Sequence, residues 1–98
     1  MTEGRCPQRL DKWLWLARVV KSRSLAARLV AGGHVRVNAR RVQSPAKSIG
    51  PGDVLTIVLD YRVRVLRVIA PAARRLSARE AAHLFEELTP GRELSPHA

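Results

Sequence analysis

The spacing of apolar residues changes character at Gly32-Gly33. Before it, Leu10, Trp13, Leu14 and Ala17 recur at i, i+3, i+4 and i+7, which is one face of a helix. After it, Val35-Arg36-Val37 alternates apolar with basic, the period of a half-buried strand. A chain that is helical first and stranded afterwards folds as α+β.

The elements follow from that break. A first helix is predicted over Arg9 to Val20, with Asp11 in its first turn at the positive end of the dipole. Lys21-Ser22-Arg23-Ser24 is a junction where Ser22 or Ser24 can cap a second helix running to Ala31. Leu25, Ala26, Leu29 and Val30 form its buried side. Gly32-Gly33 stops it, since glycine takes a left-handed cap conformation without a Cβ penalty. Asn38 favours a turn, and Arg41 and Val42 begin a second short strand. Gly50-Pro51-Gly52-Asp53 is a turn, Val54–Leu59 a β-prone run, Asp60-Tyr61 a hairpin tip and Arg62–Ile69 the returning strand. A last helix is predicted from Ser77, where Ser77 and Glu80 have capping-box spacing, with Ala81, Leu84, Phe85 and Leu88 on its apolar face and Pro90-Gly91 at its end. There is no repeat and no internal linker. Residues 1–8 are expected to be a flexible leader, 9–89 a single domain and 90–98 a disordered tail.

With 98 residues the chain has one domain's length and can bury roughly two-thirds of its unfolded surface. Cys6 is its single cysteine, so no internal disulfide forms, which fits a reducing compartment. No apolar stretch is long enough to span a membrane, and the first residues lack the apolar core of a signal peptide. Cytoplasmic residence and no membrane partner are expected.

Charge divides unevenly. Residues 1–48 carry eleven Lys/Arg against Glu3 and Asp11, a balance of +9. Residues 49–98 carry seven against six acids, a balance of +1, and the two give the formal +10. An excess confined to one half marks one polyanion-binding face. A sequence pI near 11.6 points to nucleic acid ahead of an anionic membrane surface.

No catalytic set accompanies it. His34, His83 and His97 stand outside metal-ligand spacing with any other His or Cys. Cys6 has no activating neighbour. Glu86 and Glu87, adjacent on the expected last helix, point about 100° apart and make no acid–base dyad. Gly32-Gly33 follows a helix instead of preceding one, so it is a cap and not a phosphate loop. Neither an enzyme, a metal nor a cofactor is expected.

What remains is basic. Lys21, Ser22 and Arg23 lie where free N–H groups of the second helix and its dipole already favour an anion. Cations there oppose the dipole at a cost of a few tenths of a kcal/mol, so a partner anion is the better account than a plain cap with two solvated cations. Arg9, Lys12 and Arg18 on the first helix, Arg28 on the second, and Arg36, Arg40 and Arg41 around the first strand continue the surface. His34 and Asn38 can add hydrogen bonds, and Lys47 follows in a loop. Trp13 is a core residue. Trp15, about 200° further round, is either exposed, where it can stack on a base, or packed against a neighbouring segment. Arg62, Arg64 and Arg67 read as a solvated strand face.

The stretch from Arg9 to Val42, with a Gly-Asp turn further on, resembles the RNA-binding module named from ribosomal protein S4, a match over about residues 9–58. The matching residues are Arg9-Leu10-Asp11, Leu14, Arg18, Lys21-Ser22-Arg23, Ala26, Gly33, Val35, Val37-Asn38 and Gly52-Asp53. The opening RLDKWLW with Ala17-Arg18, and the final helix after an Arg-rich stretch, are similar to the bacterial ribosome-associated heat-shock protein fifteen family. The module's usual glycine after Asn is Ala39 here, so the turn must differ or take up strain.

The resemblance implies two N-terminal helices packed on a small, mostly antiparallel sheet with a C-terminal helix. It implies binding of structured RNA: ribosomal RNA on the large subunit, with tRNA as a further candidate, during recycling of stalled or free subunits that hold a nascent chain on tRNA in the stress response. A monomer is expected. DNA binding by a helix-turn-helix fits less well, because the basic residues gather at the start of the second helix and on the strand. The other rival is an accessory module acting in trans with an rRNA- or tRNA-modifying enzyme or in transcription.

Overall fold

Leu10, Trp13 and Leu14, three of the four stripe residues, have no exposed surface, and the protein is built around them. The structure, a computed structural model, describes residues 7–59 and 62–89. Cys6, His97, the Asp60-Tyr61 tip, the Pro90-Gly91 stop and the expected tail lie outside the described residues.

A short strand β1 (Gln8–Arg9) leads into helix α1 (Leu10–Leu16), and α2 spans Arg23–Ala31. Strands β2 (Val35–Val37), β3 (Arg40–Val42), β4 (Ser48–Ile49), β5 (Val54–Leu59) and β6 (Arg62–Val68) follow. Helix α3 (Ala78–Ala81) runs through a 3-10 turn (Ala82–Leu84) into β7 (Phe85–Glu87). The main sheet has the order β3-β2-β5-β6-β7, all antiparallel, and β1 pairs with β4. Val35, Val37, Leu55, Ile57, Leu66 and Val68 are buried in the same core as Ala26 and Val30 of α2 and the α1 stripe.

Three expectations need correction. The first helix stops at Leu16 and does not reach Val20. Arg18 takes φ 62, and the N–H groups of Val19 and Val20 turn back to the Leu14 carbonyl at 2.9 and 3.3 Å. That turn buries both valines, which as β-branched residues gain little from helix.

The expected C-terminal helix keeps its capping box, with Ser77 accepting from the Glu80 N–H, but Phe85, Glu86 and Glu87 leave it as a strand. The edge of β6 offers those residues a hydrogen-bonded ladder, Phe85 an edge contact on Trp13 at 6.0 Å, and the two glutamates arginine partners. These tertiary gains outweigh the local helical pattern.

Gln8, placed in the leader, is tied to residue 72. Its side-chain amide donates to the Ala72 carbonyl at 2.7 Å and accepts from the Ala72 N–H at 3.0 Å.

The β2–β3 hairpin turns on Asn38 and Ala39 alone, with φ 53 and 71, a two-residue turn with both central residues left-handed. Among the described residues no helix is long and apolar enough to cross a membrane, and no group of three or more His, Cys, Asp or Glu could hold a metal ion.

Candidate nucleic-acid interface

Asp11 is the buried charged residue of the described core, 4% exposed, and two arginines converge on it. Arg9 grips it through one edge of its guanidinium, Nε donating to Oδ1 at 3.1 Å and Nη2 to Oδ2 at 3.2 Å. The Lys12 N–H donates to Oδ1 at 2.7 Å, and Arg23 Nε lies 3.6 Å from Oδ2. Burial pushes the Asp11 carboxyl up. The Arg9 bond, the Lys12 N–H and the Arg23 and Arg9 charges outweigh it, so the group is held below the usual carboxylate value. A fixed negative charge thus sets the position of a cation before α1 and of another at the first residue of α2. Both arginine side chains stay about half exposed, at 52% and 43%. Arg23 has donors left for an incoming anion.

The start of α2 carries the rest of that cluster. Ser22 is the N-cap: its Oγ accepts from the Leu25 N–H at 3.1 Å and lies 3.3 Å from the Ser24 hydroxyl. Its side chain therefore serves the helix, and Lys21 and Arg23 supply the charge beside it. Lys21 is exposed. The Leu10 N–H donates to the Lys47 carbonyl at 2.9 Å, so the loop bearing exposed Lys47 joins the same end of the molecule. Lys12 is half-buried next to Asp11.

A second cluster forms where α2 ends. Arg28, in its last turn, is exposed where a cation suits the dipole. Arg41 lies across Gly33, which takes φ +82; a Cβ there would meet Arg41 Cδ at 3.3 Å. The His34 ring lies over Gly32, where a Cβ would come within 3.0 Å of it. Arg36 stands directly opposite Arg41 across the strands. His34, Arg36 and Arg41 are all exposed.

Three expected residues stand apart. Arg18 sits in the turn after α1 and not on a helical face, and its Nε donates to the Leu76 carbonyl. Asn38 commits its side chain to the neighbouring turn: Nδ2 donates to Asp53 Oδ1 at 3.1 Å and Oδ1 accepts from the Val54 N–H at 2.9 Å. Arg40, exposed, follows Ala39 at the hairpin edge.

The other basic strand is largely neutralised. Arg64 bonds Glu87 and Arg67 bonds Glu86, each at 2.6 Å, instead of standing solvated. Trp15 is half-buried under Arg75, whose guanidinium carbon lies 5.3 Å over its ring. Sequence reasoning missed Asp11 as the organiser of Arg9 and Arg23. The available signal was an acid set alone in a strongly basic stretch.

The S4 domain family profile matches residues 8–55. Heat shock protein 15 of Escherichia coli K12 is 42% identical over 79 residues, 81% of this chain and 59% of that protein. The homolog from Aeromonas salmonicida is 40% identical over the same shares. Small ribosomal subunit protein uS4 of Staphylococcus haemolyticus is 41% identical over 49 residues, 50% of this chain and 24% of that one. The trimeric structure of Vibrio cholerae heat shock protein 15 superposes with a TM-score of 0.81 at 35% identity, covering 94% of this chain and 91% of that chain. The chain spans about three-fifths of the length of the curated heat shock relatives it matches.

Proposed function

This chain belongs to the heat shock protein 15 family and carries an S4 domain, and from that premise we propose that it binds structured RNA without catalysing a reaction. The observation that carries the reading is the Asp11 cluster, which holds Arg9 and Arg23 ready at the converging ends of α1 and α2. Lys21, Lys12 and Lys47 add charge at the same end, and the second cluster of Arg28, His34, Arg36 and Arg41 where α2 ends, with Arg40 at the hairpin edge, is taken as the continuation of that binding surface. Duplex RNA hides its base edges in a deep groove, so such a face reads backbone and shape. Bidentate guanidinium–phosphate contacts give that reading direction.

The finer proposal is ribosomal RNA of the large subunit, in stalled or free subunits that still hold a nascent chain on tRNA, within the cytoplasm. Its support is the family; the kinship with a small-subunit ribosomal protein supports ribosomal RNA without choosing the subunit. Binding by a monomer, with residues 9–89 acting as one unit, is part of the proposal. Light scattering on a sizing column separates this from the trimer described for the Vibrio cholerae relative.

The test of RNA binding is a titration of a hairpin RNA over a range of salt. With about five phosphates contacted, log affinity falls with log salt at a slope of roughly −3.5 to −4.5. Lys21→Ala with Arg23→Ala lowers the magnitude of that slope by about 1.4–1.8, with the circular dichroism spectrum unchanged. A flat salt response, or an unchanged affinity in the double variant, would refute the interface. Sedimentation with separated ribosomal subunits tests the finer proposal.

A further inference from the structure

Next to the basic face lies a cleft of about 740 Å³, within the range of small-ligand sites. Its floor is aliphatic: Val19, Val20, Leu25 and Leu59. The left-handed turn at Arg18 brings the two valines there. Arg18, Lys21, Arg62 and Arg75 line it, and no carboxylate does among the described residues.

Two of these arginines are held by carbonyls. Arg18 donates from Nε to Leu76, and Arg75 donates from Nη1 to the Trp15 carbonyl at 2.9 Å while stacking on that indole. A carbonyl fixes a guanidinium without neutralising it, so each keeps its full charge and further donors at little conformational cost on binding. Arg64 and Arg67, by contrast, are paired with carboxylates. The fold neutralises those two, while Glu87 acts on the cleft's Arg62 through charge alone, and Arg18 and Arg75 keep the cleft basic.

An apolar floor between held cations fits a ligand with a flat apolar face and anionic flanks. A bare phosphate leaves the floor unused, and a base stacked in a duplex cannot reach it. Lys21 belongs both to this cleft and to the start of α2, so a strand leaving a duplex on the basic face enters without a gap. We propose that the cleft takes one unstacked nucleotide of single-stranded RNA adjoining the bound duplex, its base on the aliphatic floor and its flanking phosphates on Arg18, Arg62 and Arg75. This rests on the RNA-binding reading above.

The test compares a blunt hairpin RNA with the same hairpin carrying a short single-stranded overhang at either end, by fluorescence anisotropy. The native chain binds an overhang hairpin tighter by about fivefold, the gain from covering roughly 40 Å² of apolar floor. Ala78→Trp, which fills the cleft from the exposed first residue of α3, removes that gain and leaves blunt-hairpin affinity unchanged. Arg62→Ala, a variant outside the core, lowers the overhang-dependent part of the salt slope by about 0.7 and guards against a misfolded Ala78 variant. Absence of any gain from the overhang, with blunt binding intact, overturns the cleft and spares the RNA-binding reading. So does a gain that survives both variants, or an abasic overhang that binds as well as one bearing bases. Failure of the native chain to bind either hairpin overturns both.

Discussion

Ala39 occupies a backbone conformation that suits glycine, and replacing it tests how the β2–β3 hairpin is held. The turn has two residues, Asn38 at φ 53 and Ala39 at φ 71, between the paired Val37 and Arg40. Asparagine tolerates the left-handed region. For alanine the Cβ approaches the following carbonyl oxygen, at about 1–2 kcal/mol. Glycine removes that term but gives the unfolded chain more freedom, at about 0.4–1 kcal/mol. Ala39→Gly should therefore stabilise the fold by about 0.5–1 kcal/mol, which for a chain of this size raises Tm by about 2–8 °C. Thermal unfolding followed by circular dichroism measures it, with urea midpoints as a second probe. Ala39→Val should move Tm the other way, since a β-branched residue is still less at ease there. RNA affinity in Ala39→Gly should stay within about twofold, because no charge moves. An equal or lower Tm in Ala39→Gly with a native spectrum would refute the argument.

Further outcomes follow from the polar contacts. The Asp11 carboxyl is held below its unfolded value, so its ionised form stabilises the fold. That contribution is whole above the unfolded value of about 3.9 and is lost as pH falls through the lower folded one. Urea midpoints should drop in acid below about pH 4, and Asp11→Asn should be weaker near neutrality with a shallower acid limb. An identical limb in both proteins would remove Asp11 from the account. Glu87, lowered chiefly by its bond to Arg64, has the same sign, so Glu87→Gln should also flatten part of that limb. Asn38→Gly keeps the left-handed backbone and deletes the bonds to Asp53 and Val54, so it should cost about 1 kcal/mol. Its RNA affinity should match the native chain in the hairpin titration, as befits a residue that serves the turn.

Local signals in the sequence held where local physics decides. The α1 stripe, the Ser22 cap, the break at Gly33 and the Ser77–Glu80 capping box all rest on contacts within a few residues, and each appears where the spacing placed it. Distant partners decided the rest. Phe85 to Glu87 carry a helical pattern, yet the open edge of β6 and the arginines on it draw them into a strand. Val19 and Val20 extend an apolar run, yet their burial requires the turn at Arg18. On the candidate face the cations were legible as composition. Their organiser was not, because an aspartate in a first turn reads as a dipole partner until Arg23, twelve residues on, is seen beside it.

Helix α1 is fastened to a segment far along the chain. The Trp13 indole N–H donates to the Ala70 carbonyl at 2.9 Å, Gln8 exchanges two bonds with Ala72, Arg75 donates to the Trp15 carbonyl, and Arg18 donates to that of Leu76. Translation delivers the cationic half before these latches. A nascent chain stopped after the matched residues 8–55 would have most of the charge but neither the latches nor the β6 partner of β5. It could attract RNA as any basic peptide does, without the geometry to choose one. The geometry of the face therefore follows the charge, once the polypeptide has passed residue 76 and α1 is locked in place.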